Sequence, residues 1–296
     1  MRDQKMNEVS EVERHEAHHE FFREVLQDIH KIMETDYHLT DVSIKPVSAE
    51  VARLSIPVKI EGTDKNGVRV KYFGKILGGT DNMTARAIQL FKNLYLHMNS
   101  MAPMFRITDS PEELAKHQYE MMNAINQLGI PTATPRGVYP LRAKLWLLVS
   151  DFLEAKSIED VPELTDEHLD TVFGYLRKMH ENGIYHGDIK PDNLLFGDKV
   201  YVIDVGNFMD EAPPSQKLAY DLASQISSFL EYRPAGEIVE IARKYYPCEE
   251  MMAAAKYLDM IQRRPDIILT SENKEELLRL MNLKIRRRLF RKTGKT

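Results

Sequence analysis

The chain has 296 residues, of which 43% are hydrophobic and 29% charged, and its formal net charge is −5. This composition is typical of a soluble globular protein and excludes a collagen-like or intrinsically disordered chain. The single cysteine, Cys248, excludes an internal disulfide, and no apolar run approaches the roughly 18 residues of a membrane helix. The polar N-terminus does not resemble a signal peptide, so we expect a cytoplasmic protein without a membrane partner.

The first predicted element is an amphipathic helix over residues 8–34, where apolar residues recur at alternating steps of three and four. Residues 15–19 (HEAHH) within it match the H-E-x-x-H pattern of zinc sites, which places two histidines on one helical face. The motif has no flanking apolar run and no obvious third ligand. We therefore interpret residues 1–35 as a helical segment that docks on the rest of the chain or on a partner.

A strand-like pattern follows this helix. Three apolar and β-branched runs predict the strands of a small antiparallel sheet, at residues 42–47, 51–60 and 68–77. The last two runs are joined by a turn that contains Asn66-Gly67, a strong hairpin signal. Lys75 lies near the end of the third run, where a lysine usually faces solvent.

Two helices are predicted next. The first, over residues 83–99, carries an apolar stripe formed by Met83, Ala87, Leu90, Leu94 and Met98. The second runs from Ser110 to residue 128, because a capping serine, a proline and an early glutamate mark its start. Glu120 lies beside the apolar stripe of this second helix, and Glu113 projects in nearly the same direction.

A second hairpin is predicted over residues 137–149, with its turn at residues 142–144. The short segment that follows contains Ser150, Asp151 and Phe152. A helix then begins at the capping residue Thr165 and ends at Gly183.

The segments 185–196 (YHGDIKPDNLLF) and 202–206 (VIDVG) carry the chemistry. A short apolar run leaves the first segment, reverses at a glycine and returns, which predicts a hairpin with polar side chains at its open end. Asp188 can take a proton from a hydroxyl nucleophile, while Asn193 and Asp204 offer hard oxygen ligands for Mg²⁺. Lys190 follows the base by two residues and is either a phosphate-binding group or a solvated loop residue.

The remainder of the chain is predicted to be helical. One helix begins near residue 213 and contains Asp221, and others are predicted at residues 234–246, 249–263 and 271–283. Residues 284–296 hold seven lysines and arginines and no acid. Such a segment is either a contact for RNA, a ribonucleoprotein or another anionic surface, or a solvated tail.

The spacing of Asp188, Asn193 and Asp204 resembles the H-x-D-x-x-x-x-N and D-F-G motifs of the protein-kinase-like superfamily. The resemblance implies an α+β fold of two lobes, a small antiparallel-sheet lobe and a helical lobe, which bind ATP with Mg²⁺ between them. It further assigns roles to residues of the first lobe. Lys75 would bind the phosphates and pair with Glu120, with Glu113 as the alternative, and the backbone of Ser150, Asp151 and Phe152 would hold the adenine.

Three features of the sequence resemble those of RIO-type atypical protein kinases and of aminoglycoside and lipopolysaccharide kinases. Gly187 stands where typical protein kinases carry an arginine. Asp221 follows Asp204 by only 17 residues, with no A-P-E triplet between them, so a peptide-binding activation segment does not fit. The interval from Lys75 to Glu120 contains an extra helix. A glycine-rich loop is missing around residues 48–50, and Val205-Gly206-Asn207 departs from the usual RIO residues.

These observations predict a helix at residues 1–35, a first lobe at 36–150, a second lobe at 151–283 and a basic tail at 284–296. The predicted activity is transfer of the γ-phosphoryl group of Mg-ATP to a hydroxyl, as in a RIO-like protein serine/threonine kinase. Two alternatives stay open: a kinase acting on a small molecule such as a sugar or an aminoglycoside, and an ATP-binding ATPase switch or scaffold on a ribonucleoprotein.

Overall fold

The computed structural model describes residues 20–47, 55–78, 92–106, 110–206 and 208–292, and the side chains of this set as far as residue 282. Its helices are α1 (20–35), α2 (92–98), α3 (Pro111–Gln127), α4 (Asp166–Glu181), α5 (Pro214–Ser228), α6 (Ala235–Tyr245), α7 (Cys248–Ala255), α8 (Leu258–Ile261) and α9 (Ser271–Lys292). Its strands are β1 (Thr40–Pro46), β2 (Ser55–Thr63), β3 (Arg69–Leu77), β4 (Pro135–Pro140), β5 (Trp146–Asp151), β6 (Lys156–Ser157), β7 (Leu194–Phe196) and β8 (Val200–Val202).

The chain divides into two compact units, and the first comprises residues 1–85, 109–119 and 135–152. It holds an antiparallel sheet with the strand order β1-β2-β3-β5-β4. The turn between β2 and β3 is closed by Asp64, whose carboxylate accepts backbone hydrogen bonds from Asn66 and Val68. Gly67 in this turn has a φ of 76°, a left-handed value that favours glycine, as the Asn-Gly signal predicts.

Helix α1 packs on this sheet. Val25, Ile29 and Met33 are almost fully buried and belong to one apolar cluster with side chains of β2, β3 and β5. Arg142, in the turn between β4 and β5, donates hydrogen bonds from Nε and Nη2 to the carboxylate of Asp28 at 2.8 and 2.9 Å. These bonds hold the pKa of Asp28 below its usual value. The predicted docking helix is therefore confirmed for residues 20–35, whereas the HEAHH motif lies outside the described residues.

The second unit comprises residues 86–108, 120–134 and 153–296, and α5 lies at its centre. Eleven residues of α5 are buried, including polar ones. The ring of Tyr220 on α5 makes edge contacts with Phe105, Phe208 and Tyr257 at centroid distances of 5.0 to 6.0 Å. This aromatic group joins three segments that are distant in sequence into a single core.

A small three-stranded sheet, with the order β6-β7-β8, supports the chemistry-bearing segments in this unit. Strands β7 and β8 form the predicted hairpin, with Leu194 opposite Val202 and Phe196 opposite Val200. Thr165 caps helix α4 as predicted, and the side chains of Thr165 and His168 exchange hydrogen bonds with each other's backbone N–H. Gly183 follows the helix with a φ of 73°.

Some helical predictions were wrong. In α2, Leu94 and Met98 of the predicted apolar stripe are 52% and 77% exposed, whereas Leu96 and Asn93 are buried. The predicted helix 249–263 is interrupted between α7 and α8, where the ring of Tyr257 turns into the core. Helix α9 continues to Lys292, so most of the predicted tail is helical in backbone.

The architecture confirms the predicted α+β class, with an antiparallel sheet in one unit and mostly helices in the other. In the described part of the chain, no helix has the length and apolar character needed to cross a membrane.

Candidate active site

A buried carboxylate holds the backbone of the loop that carries Asp188. Asp221 on α5 is 0% exposed and accepts hydrogen bonds from the backbone N–H groups of His186 and Gly187, at 2.7 and 2.8 Å. Gly187 has a φ of 80°, a conformation that is unfavourable for residues with a side chain. This backbone requirement explains why a glycine occupies position 187. Asp221 therefore braces the loop through two backbone hydrogen bonds.

Asp221 is itself fixed by a buried histidine. The Nε2 atom of His180 lies 3.3 Å from the Asp221 carboxylate, and its Nδ1 lies 3.1 Å from the hydroxyl of Tyr246. Because a carboxylate can only accept, Nε2 carries the proton, and a neutral ring then accepts from Tyr246 through Nδ1. The Tyr185 ring stacks on His180 at 5.4 Å, and burial raises the pKa of Tyr246. Sequence reasoning missed Tyr246, which no local pattern marks.

Asp188 stands at the edge of this buried group with its side chain 25% exposed. Its backbone N–H donates to Nδ1 of His186 at 3.3 Å, and its carbonyl accepts a hydrogen bond from Nδ2 of Asn193 at 2.8 Å. The ring of His186 is 1% exposed, and burial lowers the pKa of this histidine despite the carboxylates of Asp221, Asp188 and Asp204. A neutral His186 can accept from the Asp188 N–H, which orients the loop.

Asn193 and Asp204 are brought together by the backbone. The carbonyl of Asn193 accepts a hydrogen bond from the N–H of Ile203 at 3.0 Å, so Asp204 is the next residue after this contact. Asp204 is exposed, and its φ of 59° is left-handed, a conformation that aspartate tolerates better than most residues. Gly206 is held to the loop that carries Asp188, because its N–H donates to the carbonyl of His186 at 2.9 Å.

These two residues fit a Mg²⁺ ion by their donor chemistry. Because Nδ2 of Asn193 is engaged by the Asp188 carbonyl, its Oδ1 is the atom left to act as a ligand. An amide oxygen and one carboxylate suit Mg²⁺, which binds few protein groups and completes its shell with phosphate oxygens and water. Among the described residues, no group of three or more His, Cys, Asp or Glu side chains is placed to hold a metal ion.

One further charged residue, Arg264, contacts the candidate base and was not selected by the sequence reasoning. Arg264 donates from Nη2 to Oδ1 of Asp188 at 2.9 Å and also pairs with Asp266. Lys190 lies between the two acids, with Nζ 4.0 Å from Asp188 Oδ2 and 3.8 Å from Asp266 Oδ2. The loop position of Lys190 was predicted, but its pairing with Asp266 comes from a segment more than 70 residues away.

The segment between Asp204 and α5 is short and anchored. Lys217 is buried on α5 and donates to the carbonyls of Met209 and Asp210 at 3.1 Å. The N–H of Met209 donates to the Met104 carbonyl at 2.8 Å. Met104 is itself held by α2, because its N–H donates to the side-chain oxygen of Asn93 at 3.0 Å. Residues 209 and 210 are thus anchored by hydrogen bonds to α5 and to residue 104.

Residues 102–235 match the RIO domain family. This part of the chain is thus similar to RIO domains. A relative, the RIO-type serine/threonine-protein kinase Rio1 of Thermoplasma acidophilum, is 25% identical over 150 residues, which cover 48% of this chain and 72% of the relative. A putative serine/threonine-protein kinase of Acanthamoeba polyphaga mimivirus is 65% identical over 26 residues, 9% of each chain. The predictions of a RIO-type member of the kinase-like superfamily and of a kinase enzyme are confirmed at this level.

Two solved structures align with most of the chain. A putative fructosamine-3-kinase from Haemophilus somnus aligns with a TM-score of 0.48 at 10% identity, over 88% of this chain and 98% of the other. The PknI kinase domain of Mycobacterium tuberculosis aligns with a TM-score of 0.42 at 11% identity, over 83% and 96%.

The RIO domain match begins after Lys75, which lies in β3 of the first unit opposite Leu148 and Pro57. Glu120 is an exposed residue of α3 and belongs to the second unit, whereas Glu113 belongs to the first. The Lys75–Glu120 ion pair stays a prediction.

The proposed adenine-binding residues lie partly inside a strand. Ser150 and Asp151 are the last two residues of β5, and Ser150 is paired with Phe73 on one side and Pro135 on the other. The Asp151 carboxylate pairs with Arg136 at 2.6 and 2.8 Å. The N–H of Phe152 donates to the Lys71 carbonyl at 3.4 Å, and its ring lies under the Lys59 ammonium. Their role toward a nucleotide stays a prediction.

Proposed function

We propose that this chain transfers the γ-phosphoryl group of Mg-ATP to the hydroxyl of a serine or threonine in a protein. The observation that carries the proposal is the arrangement of Asp188, Asn193 and Asp204 on one loop and one strand end, held by the buried Asp221. The Rio1 relative, which is a serine/threonine-protein kinase by name, supports a protein acceptor.

In this reaction Asp188 is the base. Its partly exposed carboxylate accepts the proton of the acceptor hydroxyl as the new oxygen–phosphorus bond forms and the bond to the ADP oxygen breaks. The backbone contacts of Asp188 with His186 and Asn193 hold the carboxylate in place, and correct placement is the main source of catalysis in phosphoryl transfer.

Oδ1 of Asn193 and the Asp204 carboxylate would hold Mg²⁺, which when bound neutralises charge on the phosphates. Lys190 lies 4.0 Å from the base and is placed to stabilise charge on the transferred group. On the sheet side, we assign Lys75 to the phosphates, Glu120 to Lys75, and the backbone of Ser150, Asp151 and Phe152 to the adenine. Contact of residues 284–296 with RNA or a ribonucleoprotein belongs to the same proposal.

The test is incubation of the purified chain with γ-labelled ATP and Mg²⁺, with label followed in the chain itself, in added casein, in a metabolite extract and as free phosphate. Asp188→Asn should reduce label in protein by about 10²–10⁴ while ATP binding survives, because only the positioned base is removed. Asp192→Asn, the same change at an exposed position of the same loop, is the control. Label in metabolites alone would instead favour a small-molecule kinase, and free phosphate alone an ATPase switch; either outcome overturns the protein acceptor.

A further inference from the structure

Arg264 is a buried charge that contacts the candidate base from outside the matched domain. It follows α8, 29 residues after the end of the RIO domain match at residue 235. Only 7% of this residue is exposed. Burying a guanidinium without partners costs free energy. Even a paired buried charge is weak evidence for a stabilising role, because apolar residues of similar volume often give the same or a higher stability. Its position against the catalytic loop therefore calls for an explanation in terms of the reaction.

The guanidinium is shared among three side chains. Nη1 donates to the hydroxyl of Tyr220 at 3.0 Å, which anchors Arg264 to the central helix α5. Nε and Nη2 donate to the two carboxylate oxygens of Asp266 at 2.9 and 2.7 Å. Nη2 also donates to Oδ1 of Asp188 at 2.9 Å. The fork geometry of arginine makes this set of contacts possible, and lysine could not reproduce it.

Asp266 links the same pair to Lys190. Its Oδ2 atom accepts from Nη2 of Arg264 and lies 3.8 Å from the Lys190 ammonium. Burial by itself opposes ionisation, but hydrogen bonds from Arg264 and the positive charges of Arg264 and Lys190 hold the pKa of Asp266 at about 2. The carboxylate is therefore charged at any ordinary assay pH.

We propose that Arg264 and Asp266 are positioning residues for phosphoryl transfer: Arg264 fixes Oδ1 of Asp188, and Asp266 fixes both Arg264 and Lys190. With Oδ1 engaged, Oδ2 is the oxygen presented to the acceptor hydroxyl, and Lys190 lies 4.0 Å from that atom. The segment that contains Arg264 and Asp266 thus fixes the position of Asp188 relative to Lys190. This inference rests on the proposed role of Asp188 and extends the functional unit to the helices beyond the matched domain.

The test compares steady-state kinetics of the full chain and its variants, with γ-labelled ATP, Mg²⁺ and casein. Arg264→Gln should lower kcat by about 10–100-fold and leave the KM for ATP within about twofold, since a misplaced base costs turnover rather than nucleotide affinity. Arg264→Lys should recover part of the loss because it keeps a positive charge, and Asp266→Asn should lose about tenfold because Lys190 is released.

Two exposed neighbours supply matched controls. Arg263→Gln repeats the arginine change one residue earlier, where the side chain lies over the ring of Tyr95 at 5.2 Å. Asp259→Asn repeats the aspartate change in a surface pair with Lys274. Thermal melting is measured first, and if Arg264→Gln does not fold, Arg264→Lys and Asp266→Asn decide the question.

A double-mutant cycle separates positioning from a merely structural role. If Arg264 acts through Asp188, adding Arg264→Gln to Asp188→Asn should change kcat by less than about twofold, because the group being positioned is already gone. Losses that multiply, or an Arg264→Gln variant as active as Arg263→Gln, would overturn the inference. Wild-type activity in Asp188→Asn would instead refute the proposed function, so the two failures are distinguishable.

Discussion

The replacement Asp221→Asn removes one charge and one acceptor oxygen from the carboxylate that supports the loop carrying Asp188. In the wild type, the two carboxylate oxygens accept from the N–H groups of Gly187 and His186 at 2.8 and 2.7 Å, and the second oxygen also faces His180. Asparagine can accept one of these backbone bonds, but its amide nitrogen must then face another donor. At 0% exposure, water cannot replace the lost partner.

The expected cost follows from these contacts. A hydrogen bond to a charged group contributes about 1.5–3 kcal/mol, and leaving a buried donor unsatisfied costs about 1–3 kcal/mol. The free energy of unfolding should therefore fall by about 3–5 kcal/mol, the range found when one partner of a buried pair is removed. Turnover in the folded fraction should fall by about 10–100-fold, because the displaced loop carries Asp188.

Urea unfolding followed by far-UV circular dichroism is the suitable measurement. The second unit is mostly helical, whereas the single tryptophan, Trp146, lies in the first unit and would not report on α5. Asp259→Asn is the control, since its 66% exposed side chain forms a surface pair worth about 0–1 kcal/mol. A loss in Asp221→Asn no larger than in this control, with turnover unchanged, would refute the bracing role.

Two further predictions concern the ion and the pH. Asp204→Ala should abolish turnover and raise the Mg²⁺ requirement; wild-type thermal stabilisation by ATP with Mg²⁺, compared with ATP alone, together with wild-type turnover would contradict this. Burial, opposed in part by nearby carboxylates, lowers the pKa of His186 below 6.5, so near pH 6 the unfolded chain binds more protons than the folded one. Stability should then fall as the pH drops below about 6.5, and His186→Asn, which keeps an acceptor for the Asp188 N–H, should lose less stability over the same range. Equal slopes in urea unfolding series would refute this assignment.

The parts of the site that the sequence could predict are those set by local spacing. Asp188 and Asn193 are five residues apart in one turn, and the hydrogen bond between them follows from that turn. Asp204 follows a short hairpin whose register is fixed by few residues. Helix starts and stops were predicted where proline, glycine and capping side chains mark them, as at Ser110 and Thr165.

The parts that the sequence could not predict are set by long-range packing. Arg264 lies 76 residues from the carboxylate that it contacts, and it reads locally as one of two adjacent arginines. Asn93 is buried because its amide satisfies the backbone of residues 104 and 105, while the helical stripe placed the exposed Leu94 in the core. In both cases a polar side chain is buried by partners from distant segments, and hydrophobic periodicity gives no information about such partners.

A comparison of Asp221 with Asp188 shows how burial assigns different roles to the same residue type. Asp221 is fully buried and accepts hydrogen bonds from backbone N–H groups and from a histidine held by Tyr246. Displacing any of these donors would leave a buried charge without a partner. Asp188 lies across the same short loop, but a quarter of its side chain is exposed, and Arg264 holds one of its oxygens. Only the second arrangement presents an oxygen to an incoming hydroxyl. The buried acid therefore fixes the loop, and the partly exposed acid is the one that we propose as the base.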